Sequence, residues 1–175
     1  DTVTESADQG TDTIKTARTS YSLADIAHVE NLTYTGPAAA GFTGTGNTLA
    51  NTLTGGAVGD TLSGGAGNDT LVGGDGGDTL YGNAGDDTLS GGGGGDTVIG
   101  GTGDDIYVVD ADDTVTEGAN AGTDTIKTAE ASYSLADIAN VENLTYTGSS
   151  SFTGTGNTLA NTLTGGVGAD TLTGG

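Results

Sequence analysis

Aspartate recurs every nine residues between residues 55 and 108, each time at the same place in one repeated phrase. The six copies read GGAVGDTLS from Gly55, GGAGNDTLV from Gly64, GGDGGDTLY from Gly73, GNAGDDTLS from Gly82, GGGGGDTVI from Gly91 and GGTGDDIYV from Gly100. Asp60, Asp69, Asp78, Asp87, Asp96 and Asp105 take the sixth place, and Asp170 takes it again in GGVGADTLT. A carboxylate is the hard anionic oxygen donor that Ca²⁺ prefers. Glycines at the first, second and fourth places allow positive φ and leave backbone carbonyls uncovered, as a tight metal-wrapping turn requires. The carbonyls of Gly65, Gly67, Gly74, Gly76, Gly92, Gly94, Gly101 and Gly103 are the further oxygens on offer.

Such a file of donors has to be held by regular elements. Leu62, Leu71, Leu80, Leu89 and Val98 fill the eighth place between small polar residues, the alternation of a three-residue strand with one side chain buried. Each unit is therefore half a coil, one turn and one short strand. With two units per coil, every second unit stacks on its predecessor, about 4.8 Å above it. Asp60, Asp78 and Asp96 then form one column, and Asp69, Asp87 and Asp105 the opposite one. Carboxylates that close repel, and a divalent ion lodged between successive turns turns the repulsion into attraction. About four ions fit between the stacked pairs, and the array is expected to fold only around calcium. Six units give about three coils, rising about 15 Å.

Composition sets the same limits from the other side. The chain has 175 residues, of which 35 are Gly, 33% hydrophobic and 5% aromatic, with a net charge of −21; that balance alone predicts disorder. Something besides apolar burial has to hold it folded. Lys15, Arg18 and Lys127 are its only basic residues, so no footprint for nucleic acid or anionic lipid exists. No apolar run approaches about 20 residues, which argues against insertion in a membrane. Cysteine is absent, excluding disulfides and thiol chemistry. Turns of this modest ligand strength fill at calcium near 10⁻⁴ to 10⁻³ M, roughly the range of extracellular modules, and point to an exported protein.

A longer repeat is superimposed on the short one. Residues 1–36 match residues 113–148 at 30 of 36 positions, and residues 42–56 match residues 152–166 without a difference. The module is about 110 residues long, and with no Met present the chain is expected to be an interior stretch of a longer protein. Its organisation reads as residues 1–43, an inter-array β segment; 44–109, a glycine-repeat array; 110–153, the second copy of the β segment; and 154–175, the start of a second array. Within the segments, DTVTE, TDTIKT, ASYSL and VENLTYT alternate β-branched or aromatic residues with polar ones. Val115, Ile126, Tyr133, Leu135, Leu144 and Tyr146 are the expected inward residues, with a single helical turn over residues 134–139. These segments are expected to widen or bend the solenoid; a separate binding face is the sharper alternative. GTGNTLANTLTGG follows in both copies as a degenerate pair of units with Asn51 and Asn161 in place of Asp. Asn caps or ligates weakly, so these units are expected to begin the coil with little calcium affinity.

Residues 46–110, including the GDDIYVVD ending at Asp110, resemble the RTX repeats of bacterial proteins exported by type I secretion. The resemblance implies an all-β fold, a calcium-bound parallel β-roll or β-helix solenoid with interleaved β-rich segments. It also implies a chain that stays unfolded inside the cell and folds on meeting external calcium. Two units depart from the pattern: Val58 replaces a fourth-place glycine and Asn83 a second-place one, so distorted turns are expected there. The VENLTYTG segments resemble those of large RTX surface proteins and adhesins.

Catalysis is poorly supported. His28 is the only histidine, and Asn140 stands at its place in the second copy, so no triad can be assembled. Adjacent acids such as Asp86–Asp87 and Asp104–Asp105 point to opposite faces of a strand and read as turn residues. Asp110, Asp112 and Asp113 begin like an EF-hand loop but lack its sixth-place glycine, and read as a turn. The expectation is therefore not an enzyme but a calcium-dependent structural or adhesive module of a secreted bacterial protein, in a fibre, adhesin, biofilm matrix or surface layer. Neighbouring copies of the module, joined end to end, are its expected partners, with a cell-surface or matrix partner also open. The alternative is the secretion-and-folding tail of an exported protease, lipase or epimerase. Ligand binding by the inter-array face is a third reading, and only Tyr21, Tyr34, Tyr133 and Tyr146 could supply its aromatics.

Overall fold

The structure, a computed structural model, describes residues 3–7 and 10–175; residues 1, 2, 8 and 9, within the first inter-array segment, lie outside it. Among the described residues there is no helix. Odd-numbered strands are β1 (Thr13–Thr16), β3 (Asn31–Tyr34), β5 (Thr52–Thr54), β7 (Thr70–Asp75), β9 (Thr88–Gly93), β11 (Ile106–Val109), β13 (Thr125–Thr128), β15 (Asn143–Tyr146) and β17 (Thr162–Thr164). Even-numbered strands are β2 (Ser20–Ser22), β4 (Thr43–Thr45), β6 (Thr61–Ala66), β8 (Thr79–Ala84), β10 (Thr97–Thr102), β12 (Thr114–Thr116), β14 (Ser132–Ser134), β16 (Thr153–Thr155) and β18 (Thr171–Thr173).

All nine odd strands form one parallel sheet in chain order, and the even strands form the opposite wall as a six-stranded and a three-stranded sheet, broken between β12 and β14. Each coil contributes one strand to each wall. The chain is thus a β-solenoid of nine coils, about 40 Å long at ordinary strand spacing; the six glycine phrases supply three of them, β6 to β11, as expected, and the flanking segments supply the rest. The inter-array segments do not interrupt the odd wall: β11, β13, β15 and β17 continue the ladder begun by β7 and β9.

Coil length explains why the register holds. Thr70 pairs with Thr88 and Thr88 with Ile106, eighteen residues apart, two nonapeptides per coil. Where coils are longer, as between Asn31 and Thr52, the extra residues leave as a loop at residues 37–40, closed by Ala40 N–H donating to the Pro37 carbonyl. A shift by one residue would turn every buried side chain outward, so the insertions are confined to turns. In the glycine array strands β6 to β10 run six residues, longer than the expected three, because second-place residues also pair: Gly65 with Asn83 and Gly74 with Gly92.

The core is a single file. Leu32, Leu53, Leu62, Leu71, Leu80, Leu89, Val98, Tyr107, Ile126 and Leu144 are each fully buried, one per half-coil from Leu53 to Tyr107 and one per coil, on the odd wall, outside that stretch. Of the expected inward residues, Ile126, Leu135, Leu144 and Tyr146 are buried, and Val115 and Tyr133 pack half-buried against them. Tyr34 and Tyr146 stack on Phe42 and Phe152 at 4.9 and 4.7 Å, which removes them from any exposed aromatic face. The helical turn expected over residues 134–139 is absent: Leu135 N–H donates to the Thr155 carbonyl of the next coil, leaving only an isolated turn from Ile138 back to Leu135. So narrow a core is one aliphatic side chain deep, and the polar walls around it have to carry much of the cohesion.

Candidate metal centre

Each sixth-place aspartate from Asp60 to Asp105 lies two residues ahead of a buried eighth-place side chain, so the bend from turn into strand carries it inward as well. Asp60, Asp69, Asp78, Asp87, Asp96 and Asp105 are all 3% exposed or less, a burial that carboxylates tolerate only when compensated. Half of that compensation is visible. Oδ1 of Asp60 accepts the Phe42 N–H at 2.6 Å, and Oδ1 of each of the others accepts the backbone N–H of the sixth-place residue one coil earlier: Asn51 to Asp69, Asp69 to Asp87 and Asp87 to Asp105 on one side, Asp60 to Asp78 and Asp78 to Asp96 on the other, at 2.7–2.8 Å. The two columns read from the repeat are therefore continuous hydrogen-bonded ladders.

The other half is missing. Oδ2 of Asp69, Asp78, Asp87, Asp96 and Asp105 is buried with no hydrogen-bond partner. Each of these oxygens borders the place where a first-place glycine lacks a side chain. A Cβ on Gly73 would collide with Asp78 Oδ2 and lie 2.6 Å from the Gly91 carbonyl oxygen; on Gly82 it would collide with Asp87 Oδ2 and lie 2.5 Å from the Gly100 carbonyl oxygen. Carboxylate oxygen and next-coil carbonyl thus converge on space that a methyl group would take. First-place glycines do not have positive φ, so the expectation that all three glycines serve by conformation holds for the second and fourth places only; the first is needed for room. At those other places Gly74, Gly76, Gly92 and Gly94 have φ between 109° and 131°.

Of the carbonyls expected as further ligands, those of Gly67, Gly74, Gly76 and Gly103 face the glycines one coil on, Gly85, Gly92, Gly94 and Gly122. The carbonyls that border the orphaned oxygens of Asp78 and Asp87 belong to the first-place glycines Gly91 and Gly100, which are not among the eight expected as ligands. Of the two departures, Asn83 keeps the turn by adopting φ 79°, a conformation Asn tolerates better than most side chains. Val58 does not: neither it nor Gly56 has positive φ, and Gly56 N–H turns in to donate to Asp60 Oδ2, so Asp60 has no orphaned oxygen. Asp170 is half-buried beside Gly165 and accepts the Phe152 N–H at 2.9 Å.

Burial is the largest influence on these carboxyls, and the ladder N–H groups offset it in part. Asp69 and Asp105 are pushed up to about 7, and Asp78 and Asp87 to about 6, with carboxylates in the same column adding repulsion to Asp69, Asp78 and Asp105 and adjacent Asp86 adding it to Asp87. Such groups hold a proton or a cation more readily than ordinary carboxyls.

Asn51 and Asn161 show how a coil closes without either. Asn51 Oδ1 accepts the Asn47 N–H at 2.7 Å, while its amide donates to the carbonyls of Val29 at 3.3 Å and Glu30 at 3.2 Å. Asn161 repeats the pattern with Asn157, Val141 and Glu142. The amide hydrogens occupy the role of a positive charge, which is the physical basis for expecting little calcium affinity here. Asn51→Asp removes both donors and adds a charge to the column, so stability is expected to fall by about 1–3 kcal/mol. Urea unfolding at fixed calcium measures it; an unchanged midpoint would show that the amide bonds contribute nothing.

Sixth-place acceptors also occur where no glycine phrase marks them. Asp124 Oδ1 takes the Asp105 N–H, Glu142 the Asp124 N–H, Glu30 the Asp12 N–H and Asp113 the Asp96 N–H. Asp110, Asp112 and Asp113 form the turn expected of them, with Asp112 N–H donating to Asp110 Oδ1. The missed signal was an acid two residues before an apolar one at coil spacing, as in DTI, VENL and DTV.

The model of the RTX calcium-binding nonapeptide repeat, HemolysinCabind, matches the chain in four copies, over residues 45–80, 72–107, 81–115 and 155–175, together just over half its length. The chain belongs to this RTX family. No curated protein and no solved structure matches it. RTX repeats imply several Ca²⁺ ions, and the residues present fit them: orphaned buried Oδ2 atoms on Asp69, Asp78, Asp87, Asp96 and Asp105, each against a glycine cradle. When bound, the ions would supply the positive charge that the buried columns lack.

Proposed function

We propose that this RTX chain is a calcium-dependent structural and adhesive repeat module of a protein that bacteria export by type I secretion. It folds on reaching calcium outside the cell, and it serves in a fibre, adhesin, biofilm matrix or surface layer rather than in catalysis. The observation that supports this reading is the unbroken odd wall of nine strands, which carries the solenoid from the array through the inter-array segment and into the next repeat. A module whose connecting segment is itself a coil transmits stiffness along the chain, as a folding tail has no need to do. Copies of the module, joined end to end through open strand edges, are the partners this reading implies.

A calcium titration followed by circular dichroism and light scattering together tests it. Gain of β signal with growth in mass is the expected result. Gain of β signal by a strictly monomeric chain at high concentration would move the weight to a secretion-and-folding tail.

A further inference from the structure

The even wall breaks between β12 and β14, and Glu117, directly after β12, joins a group of acids that the nonapeptide pattern does not fully describe. Asp105, Glu117 and Asp124 each present one carboxylate oxygen such that the three lie within 4.8 Å of one another. All three are buried, Asp105 to 1% exposure, Glu117 to 8% and Asp124 to 0%. Only Asp105 belongs to a glycine phrase; Glu117 and Asp124 fall between residues 115 and 155, a stretch the family match leaves uncovered.

The hydrogen bonds leave the cluster short of positive charge. Asp105 and Asp124 each spend Oδ1 on a ladder N–H, from Asp87 and Asp105 respectively, at 2.8 Å. Their Oδ2 atoms are buried and unpartnered. Glu117 accepts the Gly118 N–H at 2.6 Å through Oε1 and the Tyr107 hydroxyl through Oε2. A Cβ on Gly100 would collide with both Asp105 Oδ2 and the Tyr107 hydroxyl, so this orphaned oxygen faces the hydroxyl that Glu117 holds. The charged groups acting on Asp105 are Asp87, Asp124 and Glu117, and those on Asp124 are Glu117, Glu142 and Asp104, every one of them acidic.

Here the repeat has run out of the glycine that supplied a carbonyl at earlier coils. At Gly82 the space beside the Asp87 oxygen is bordered by the Gly100 carbonyl; at Gly100 the space beside the Asp105 oxygen is bordered instead by the Tyr107 hydroxyl, tethered to Glu117. We propose that Asp105, Glu117 and Asp124 form a three-carboxylate site for a hard divalent cation, Ca²⁺ in the extracellular setting, which clamps the end of the glycine array to the coil that follows. Oxygen-only donors select such a cation over thiophilic or imidazole-seeking metals. The site differs in kind from the array's, since side chains replace glycine carbonyls and one ligand comes from outside the sixth-place column.

The test compares the 175-residue chain with Glu117→Gln by calorimetric titration with Ca²⁺ alone. The variant is expected to lose one ion from the stoichiometry, or to bind that ion about tenfold more weakly or worse. Equal count and affinity in both chains overturns the site. Should the variant fail to fold, Tyr107→Phe keeps all three carboxylates and is read by Tb³⁺ luminescence sensitised through tyrosine: a clear drop against the parent chain is expected, and unchanged emission overturns the site. Failure of the array reading is distinguishable, because the parent chain would then bind a single ion, and that ion would disappear in Glu117→Gln.

Discussion

Stripped of calcium, the chain is expected to lose its β signal as pH rises from about 4 to about 7, and to regain it on acidification without any metal. Asp69 and Asp105 are pushed up to about 7, and Asp78, Asp87 and Asp124 to about 6, from an ordinary value of 3.8, with burial the leading cause in each. In that window the folded state binds more protons than the unfolded chain, so stability falls with rising pH. It is fully present below the unfolded value and lost as the folded-state values are passed, opposite to the behaviour of a salt-bridged carboxylate. Protons and calcium then act as alternatives at the same orphaned oxygens, and calcium affinity drops on acidification. Circular dichroism in chelator, scanned over that range, measures the first effect, and a repeat in saturating calcium should be nearly flat. A metal-free chain with full β signal at about pH 8 would show that the buried columns tolerate their own charge, contrary to the desolvation cost expected of them.

The stacking behind that competition was legible in the sequence, since nine-residue spacing fixes which aspartates stack, whereas their burial and raised affinity for protons were not. The columns Asp60–Asp78 and Asp69–Asp87–Asp105 follow from two units per coil and are ladders in the structure. What escaped was how little of the motif a coil needs. Glycine marks turns that leave a carboxylate oxygen free, but a coil closes with only an acceptor at the sixth place and an apolar residue at the eighth. Glu142 with Leu144 and Asp124 with Ile126 satisfy that with no glycine phrase, so residues 110–153 look like a change of architecture and are a continuation of it. Asn51 was legible as a weak ligand, but its two bonds to the previous coil were not, because they depend on carbonyls 21 and 22 residues back. Tyr107 breaks the aliphatic run at the eighth place, and only the fold shows that its ring is core while its hydroxyl reaches Glu117.

Two adjacent glycines separate the steric role of the motif from its composition. Gly92→Ala is expected to cost about 3 kcal/mol or more, combining strain at a positive φ with overpacking. Gly92 has φ 109°, and its Cβ would collide with the Gly74 carbonyl oxygen one coil back, within the ladder that joins β7 to β9. Backbone cannot swing aside there without opening the pairing of Gly74 with Gly92 and Asp75 with Gly93. Gly93→Ala is expected to be neutral, or to stabilise by up to about 1 kcal/mol through the entropy of the unfolded chain. Its φ is not positive, and its Cβ would meet only Asp75 Oδ1 at 3.5 Å, an ordinary contact. Urea midpoints of the two variants in saturating calcium measure the difference. Equal costs at the two positions would mean that the array needs glycine for flexibility before folding and not for room within the stacked turns; a large cost at Gly92 alone ties the phrase to the close stacking of one coil on the next.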